Sequence, residues 1–328
     1  MDLKDIRFIL PSKEEIEQEL RFRTYFNYLK VTSDFIESEY PSPTILLSNM
    51  VNSKPFNNIQ GNRYNDLERI GELMRNAWFT EIQMELSSQY REFSSYSNHW
   101  LPVQAYYSVY LLLRSLFMSY SYNVNREHAS NLRAISEDIV KRSKLYPIPW
   151  SVVCVGSPEA RNSQFKNLPK GVVVTSVSPL SAPHRVDFWD SYAMFLRTTR
   201  FRQYKKQCDD WKRQHNKKRI NSKIKQQFIE NMAPTSLFHC LYRLRLRSNY
   251  SDADSFLLSV HGTPESGEFH SSVRNICWHT LIILETLITR YIGKNNFENI
   301  YNQFVRYEKK GLSTDLIVKR WDIIKSLW

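Results

Sequence analysis

The sequence predicts a mainly α-helical fold, and three features carry that expectation. Apolar residues recur at helical spacing along much of the chain, as in Ile70, Leu73, Met74, Trp78 and Ile82. Glycine is scarce, at 8 of 328 residues, which disfavours both a turn-rich all-β fold and a glycine-loop nucleotide fold. With 42% of the residues hydrophobic, a chain of this length can bury a sizeable core.

Glu14–Glu37 is a charged amphipathic stretch and reads as the first helix. Tyr40–Asn65 is rich in Pro, Asn and Ser and reads as a loop. A second helix is expected over Leu67–Phe93. Leu101–Tyr120 is aromatic or aliphatic on nearly all sides, the pattern of a central buried helix. Glu127–Lys144 follows as a more amphipathic one. The texture then changes. Tyr146–Arg185 holds six prolines and two β-branched runs, Val152–Val155 and Val172–Val177, which suggest short strands between loops. Helical periodicity returns near Val186. Pro234, with Thr235 and Ser236, opens one helix, Ser251 or Asp252 can cap the next, and a long helix over Glu268–Ile292 closes at Gly293.

The charge is unevenly placed. The net charge is +12, yet Arg197–Lys225 holds twelve Lys and Arg against only Asp209 and Asp210, a net of +10. The basic residues are Arg197, Arg200, Arg202, Lys205, Lys206, Lys212, Arg213, Lys217, Lys218, Arg219, Lys223 and Lys225, interleaved with Phe201, Tyr204 and Trp211. Cations neutralise phosphates and release counterions, and aromatic rings offer faces to unstacked bases. The pattern therefore points to RNA, single-stranded or structured, rather than to sequence-specific duplex DNA. The bland alternative is a solvated basic helix face, weakened by how few acids offset the charge. An anionic membrane surface fits less well, because the segment lacks a broad apolar face.

Several classes are disfavoured. GxxxxGK[ST], GxGxxG, GxSxG and HExxH are absent. The four cysteines show no CxxC spacing, so no zinc site, disulfide framework or other cofactor is expected, and a reducing cytoplasmic location is. No apolar run approaches the roughly 20 residues that span a bilayer, and Met1–Pro11 carries no apolar leader segment.

Ala105-Tyr106-Tyr107 through Arg114, followed by His128, resembles a helix pair of the HEPN superfamily. Leu241–Asp252, with Arg243, Arg247 and Tyr250, is similar to a later segment of that family. The two matches cover roughly Leu67–Lys144 and Ser236–Gly293. The resemblance implies a HEPN-like helical bundle with a small strand-containing and basic insertion. Its parts would be an N-terminal extension (1–66), a first half of the core (67–145), the insertion (146–235), a second half (236–293) and C-terminal helices (294–328). It further implies a homodimeric, metal-independent ribonuclease of a toxin or antiviral defence system, or an inactive subunit that binds RNA or a partner protein.

The family's R-x(4–6)-H motif has a literal match in Arg274-Asn275-Ile276-Cys277-Trp278-His279. An Arg can stabilise a developing phosphorane and a His can move the ribose proton, so no metal is needed. On a straight helix the two residues point roughly 140° apart, which argues against one shared phosphate. Arg243, Arg247 and Tyr250 share one helix face and form a third candidate, after the basic segment and Arg274/His279, without the family's His. The ordinary reading of these positions is core packing for Tyr106, Tyr107 and His279 and a solvated basic face for the arginines.

Overall fold

The computed structural model describes residues 13–61, 63–88, 96–121, 127–160, 164–174, 188–251, 253–257, 264–306 and 314–328. Helices make up 75% of it, with a single two-stranded sheet, so the fold is mainly α. In chain order these are α1 (Lys13–Glu39), α2 (Pro43–Val51), α3 (Lys54–Asn57), α4 (Leu67–Leu86), α5 (Leu101–Ser119), α6 (His128–Lys141), β1 (Val153–Val155) and β2 (Gln164–Lys166). Then come α7 (Phe188–Gln214), α8 (Ser222–Asn231), α9 (Leu237–Leu246), α10 (Ala253–Leu257), α11 (Pro264–Ile292), α12 (Lys294–Val305) and α13 (Asp315–Lys325).

The expected loop at 40–65 contains two helices instead. Ser42 accepts a bond from Thr44 N at 3.3 Å with Pro43 in the first turn, and Ser53 does the same for Phe56 N. Serine caps and first-turn prolines start helices as readily as they mark turns, which is how the composition misled. The strand expected over Val152–Val155 forms, but its antiparallel partner is Gln164–Lys166, with Cys154 opposite Phe165. Val172–Val174 form no strand, and Thr175–Val177 lie outside the described residues, as do Asp252 and the last residues of the helix expected to reach Phe93.

The nearly all-apolar α5 sits centrally, packed on α4, α9 and α11. Leu112, Leu113, Leu116 and Phe117 are buried on it, as Leu281–Leu284, Leu287 and Ile288 are on α11. One continuous core also takes Phe22, Tyr28 and Leu29 from α1, Trp150, Val152 and Val153 from the β1 approach, Tyr192, Phe195 and Leu196 from α7, and Trp321 and Ile324 from α13. The strand-bearing and basic segment is thus rooted in the main core at Trp150–Val153 and again at Tyr192–Leu196.

A buried ionic network fixes the C-terminal helix to this core. Arg320 on α13 reaches Glu81 on α4 at 2.5 and 2.7 Å and Glu285 on α11 at 2.8 and 2.9 Å. Trp78 Nε1 donates to Glu285 at 2.7 Å. All three charged side chains are buried. Burial raises the Glu81 pKa, opposed by the Arg320 guanidinium. Such a network costs desolvation to assemble, and breaking one member leaves an uncompensated buried charge.

Candidate functional site

The basic segment forms an open surface at the free end of α7. That helix ends where Asn216 adopts a left-handed conformation (φ 49°) and Lys217 N bonds back to the Lys212 carbonyl at 2.9 Å. A short basic connection, Lys217–Arg219, leads to α8, whose first turn Asn221 caps through Ile224 N at 2.9 Å. Arg202, Lys205, Lys206, Lys217, Lys218, Arg219 and Lys223 are all exposed, and none has a carboxylate partner among the described residues. On the helical wheel Arg202, Lys206 and Arg213 form one stripe, and Lys205 flanks it beside Phe201, which is 43% exposed.

The remaining cations are engaged. Arg213 pairs with Asp210, Lys212 with Asp209 at 3.2 Å and Lys225 with Glu159 at 3.8 Å. Arg197 donates to the Ala160 carbonyl at 2.8 Å. Arg200 departs from the expectation of an RNA-binding role. It is 2% exposed, and its guanidinium grips the carbonyls of Gly156 and Ala233 at 2.8 and 2.7 Å. It is a structural clamp tying the sheet and the α8–α9 connection to α7. Tyr204 is likewise buried. Trp211 stacks on His215, with ring centroids 4.4 Å apart and an interplanar angle of 17°. That stack lies on the wheel opposite the cationic stripe, so only Phe201 sits beside the phosphate-binding side chains.

The second candidate, Arg274 and His279, lines a cavity of about 480 Å³ between α1, α2, α4, α11 and α13. The helix stays unbroken, yet both side chains reach one cavity. His279 folds back over the preceding turn, its Nδ1 2.9 Å from the Asn275 carbonyl, while Arg274 reaches across to form an ion pair with Glu85. Burial lowers the His279 pKa and the bond to the Asn275 backbone partly offsets this, so the ring is neutral near pH 7 with Nε2 as the basic nitrogen. Asn275 itself is held by Ser33 at 2.8 Å and Glu37 at 3.0 Å.

The cavity's acids were not singled out from the sequence. Glu37, Glu81 and Glu85 line it against Arg274 and Lys319, so an entering phosphate meets a guanidinium already paired with a carboxylate. Nor is the cavity near the cationic surface. Phe188 at the start of α7 stacks on Phe35 at 3.7 Å, close to Glu37 on the cavity wall. At 1.5 Å rise per residue, Arg202 lies roughly 20 Å and Arg213 roughly 38 Å further along.

No protein-family model, curated protein or solved structure matches this chain.

The third candidate divides. Arg243 turns inward, donating to Thr198 and Thr199 at 2.7 and 3.1 Å with its guanidinium 5.2 Å from the Tyr25 ring. It is half-buried and joins α9 to α7 and α1. Arg247 and Tyr250 lie in a π-helical turn, Arg247–Ser251, where Arg247 is half-buried and Tyr250 is 68% exposed. Among the described residues no helix is long and apolar enough to cross a membrane, and no cluster of three or more His, Cys, Asp or Glu could hold a metal ion.

Proposed function

We propose that this chain binds RNA through the cationic surface formed by the free end of α7, the Lys217–Arg219 connection and the start of α8. One observation carries the reading: seven exposed Lys and Arg are spread along the second half of α7, the Lys217–Arg219 connection and the start of α8, without carboxylate partners among the described residues. Like charges gathered on a solvated surface repel one another, and a polyanion relieves that repulsion while releasing its own counterions. Five of the seven, Lys205, Lys206, Lys217, Lys218 and Lys223, are lysines, point charges suited to tracking a backbone rather than reading base edges. Exposed Phe201 adds a ring face for an unpaired base. Within this reading the helical core serves as a HEPN-like scaffold that holds RNA.

A second reading is RNA cleavage in the cavity, and the convergence of Arg274, Asn275 and His279 on one wall favours it. His279 Nε2 would take the ribose 2′ proton and Arg274 would steady the charged phosphorane, without a metal. The Glu85 ion pair and the distance from the cationic surface weigh toward binding without turnover.

Fluorescence anisotropy with a labelled single-stranded RNA, repeated in EDTA with gel analysis of the RNA, tests both. The expectation is binding that weakens steeply with salt and leaves the RNA intact. Binding indifferent to salt sinks the electrostatic reading. Cleavage that disappears in a His279→Ala variant replaces the binding reading with the second.

A further inference from the structure

The cavity between α1, α2, α4, α11 and α13 holds charged groups that neither RNA reading uses. Some of its charges are already engaged with one another. Arg274 is paired with Glu85, and Glu81 is held through both carboxylate oxygens by Arg320. An entering molecule therefore meets the polar groups that remain, chiefly Glu37 on α1, His279 on α11 and Lys319 on α13.

Two of these make one acceptor pole. Glu37 accepts from Asn275 Nδ2 at 3.0 Å, and His279 Nδ1 meets the backbone carbonyl of the same residue at 2.9 Å. Asn275 thus sets the carboxylate and the imidazole beside each other where α1 packs on α11. Glu37 is exposed and has no cationic partner among the described residues. With Nδ1 donating to the backbone, the neutral His279 ring presents Nε2 as an acceptor. Although the residue is only 8% exposed, Nε2 stays accessible and has no partner among the described residues. A carboxylate and an imidazole nitrogen side by side suit an ammonium group, which carries several donors.

The opposite charge comes from a different helix. Lys319 lines the cavity from α13, is exposed and has no carboxylate partner among the described residues. Its neighbour Arg320 is fully buried in the ionic network, so adjacent positions of α13 divide between core and cavity. Much of the remaining lining is apolar or aromatic, including Trp278, Leu316, Met84, Pro41 and Pro43. The half-buried Trp278 ring stands edge-on to His279, with centroids 4.9 Å apart and an interplanar angle of 76°.

A ligand of one sign fits this arrangement poorly. A simple anion meets Glu37 and Glu85, and a simple amine meets Lys319; like charges brought together in a partly desolvated cavity repel. A ligand carrying both charges satisfies both poles while its apolar body packs on Trp278. The volume, about 480 Å³, lies in the range of small-molecule sites. We infer that this cavity binds a small zwitterion, an amino acid or dipeptide with a large apolar side chain, its ammonium on Glu37 and His279 and its carboxylate on Lys319. The inference competes with RNA cleavage in the same cavity and does not depend on the RNA-binding surface.

The test is isothermal titration of the full chain with two zwitterions, phenylalanine and the dipeptide phenylalanylalanine, and two truncated probes, phenethylamine and phenylpropionate. Each truncated probe keeps the ring and one charge. The better zwitterion should bind at least about tenfold more tightly than both, because each truncated probe lacks one charge-assisted contact. Preference for either zwitterion supports the inference and sets how far apart the two charges are held. The variants should cross over. Glu37→Gln should weaken the zwitterion about tenfold and leave phenylpropionate unchanged or tighter. Lys319→Gln should weaken the zwitterion by a similar factor and leave phenethylamine unchanged or tighter. Both side chains are exposed, so neither change should disturb the fold, which circular dichroism checks. Replacing Lys217, Lys218 and Arg219 by Glu should leave zwitterion binding unchanged even where it abolishes RNA binding, which keeps the two readings separable. The inference is overturned if neither zwitterion binds at millimolar concentration, or if the truncated probes bind as tightly. Zwitterion binding that both charge variants leave intact, or a mononucleotide that binds more tightly than either zwitterion, also overturns it.

Discussion

Replacing Lys217, Lys218 and Arg219 with alanine gives the sharpest test of the cationic surface. All three are exposed in the short connection between α7 and α8, without ion-pair partners among the described residues, so the fold should lose no more than about 0.5 kcal/mol per site. Binding to single-stranded RNA follows a log–log salt slope of about −0.7 per neutralised phosphate, so seven engaged cations set a limit near about −5. Removing three of them lowers the magnitude by about 2. Between about 0.05 and 0.2 M salt the unaltered chain should then lose about 10³-fold in affinity and the variant only about 50-fold. Anisotropy titrations of a labelled RNA at four or five salt concentrations measure both slopes. Equal slopes for the two proteins would show that these side chains meet no phosphate. A slope shallower than about −1 for the unaltered chain would remove the counterion-release argument altogether.

Arg320→Met should cost about 3–5 kcal/mol in urea unfolding, because Glu81 and Glu285 are left buried without their cation. Adding Glu81→Gln and Glu285→Gln should recover most of it, and no recovery would mean that packing, not charge, is the cause. Arg200→Ala should cost about 3 kcal/mol by stranding the Gly156 and Ala233 carbonyls, whereas exposed Arg202→Ala should change stability by less than about 0.5 kcal/mol; equal effects would refute the separation of clamp from surface. His239 gives a pH signature. Burial, reinforced by Arg200, pushes its pKa from 6.5 down to about 3, and its Nδ1 accepts from Ser236 N at 3.3 Å. Above pH 6.5 the ring is neutral in both states and contributes nothing; between 6.5 and about 3 only the unfolded chain takes the proton, so stability falls as pH falls. Between pH 7 and 5 the loss is about 2 kcal/mol, read as the difference between the unaltered chain and a His239→Gln variant, and parallel profiles would contradict it.

Much of the helical architecture was legible in the sequence because periodicity and core burial share one cause. The apolar positions Ile70, Leu73, Met74, Trp78 and Ile82 recur at the helical repeat because one helix face buries them, and Leu101–Tyr120 is apolar on nearly all sides because its helix lies inside the core. The gathering of charge on 197–225 was equally plain, since composition needs no coordinates. Local signals failed where one residue type serves two purposes: serine and proline at 42–55 start helices α2 and α3 instead of marking a loop.

Tertiary structure decided which charges are available. Arg200 and Arg202 are two residues apart and identical in type, yet 200° of helical rotation puts one under the β1 connection and the other in solvent. It likewise drew Glu85 onto Arg274 across 189 positions of sequence, and brought Arg245 beside Tyr107 from 138 away. A sequence states what each side chain can do. Only packing between helices distant along the chain settles which donors are already satisfied and which are left for a ligand.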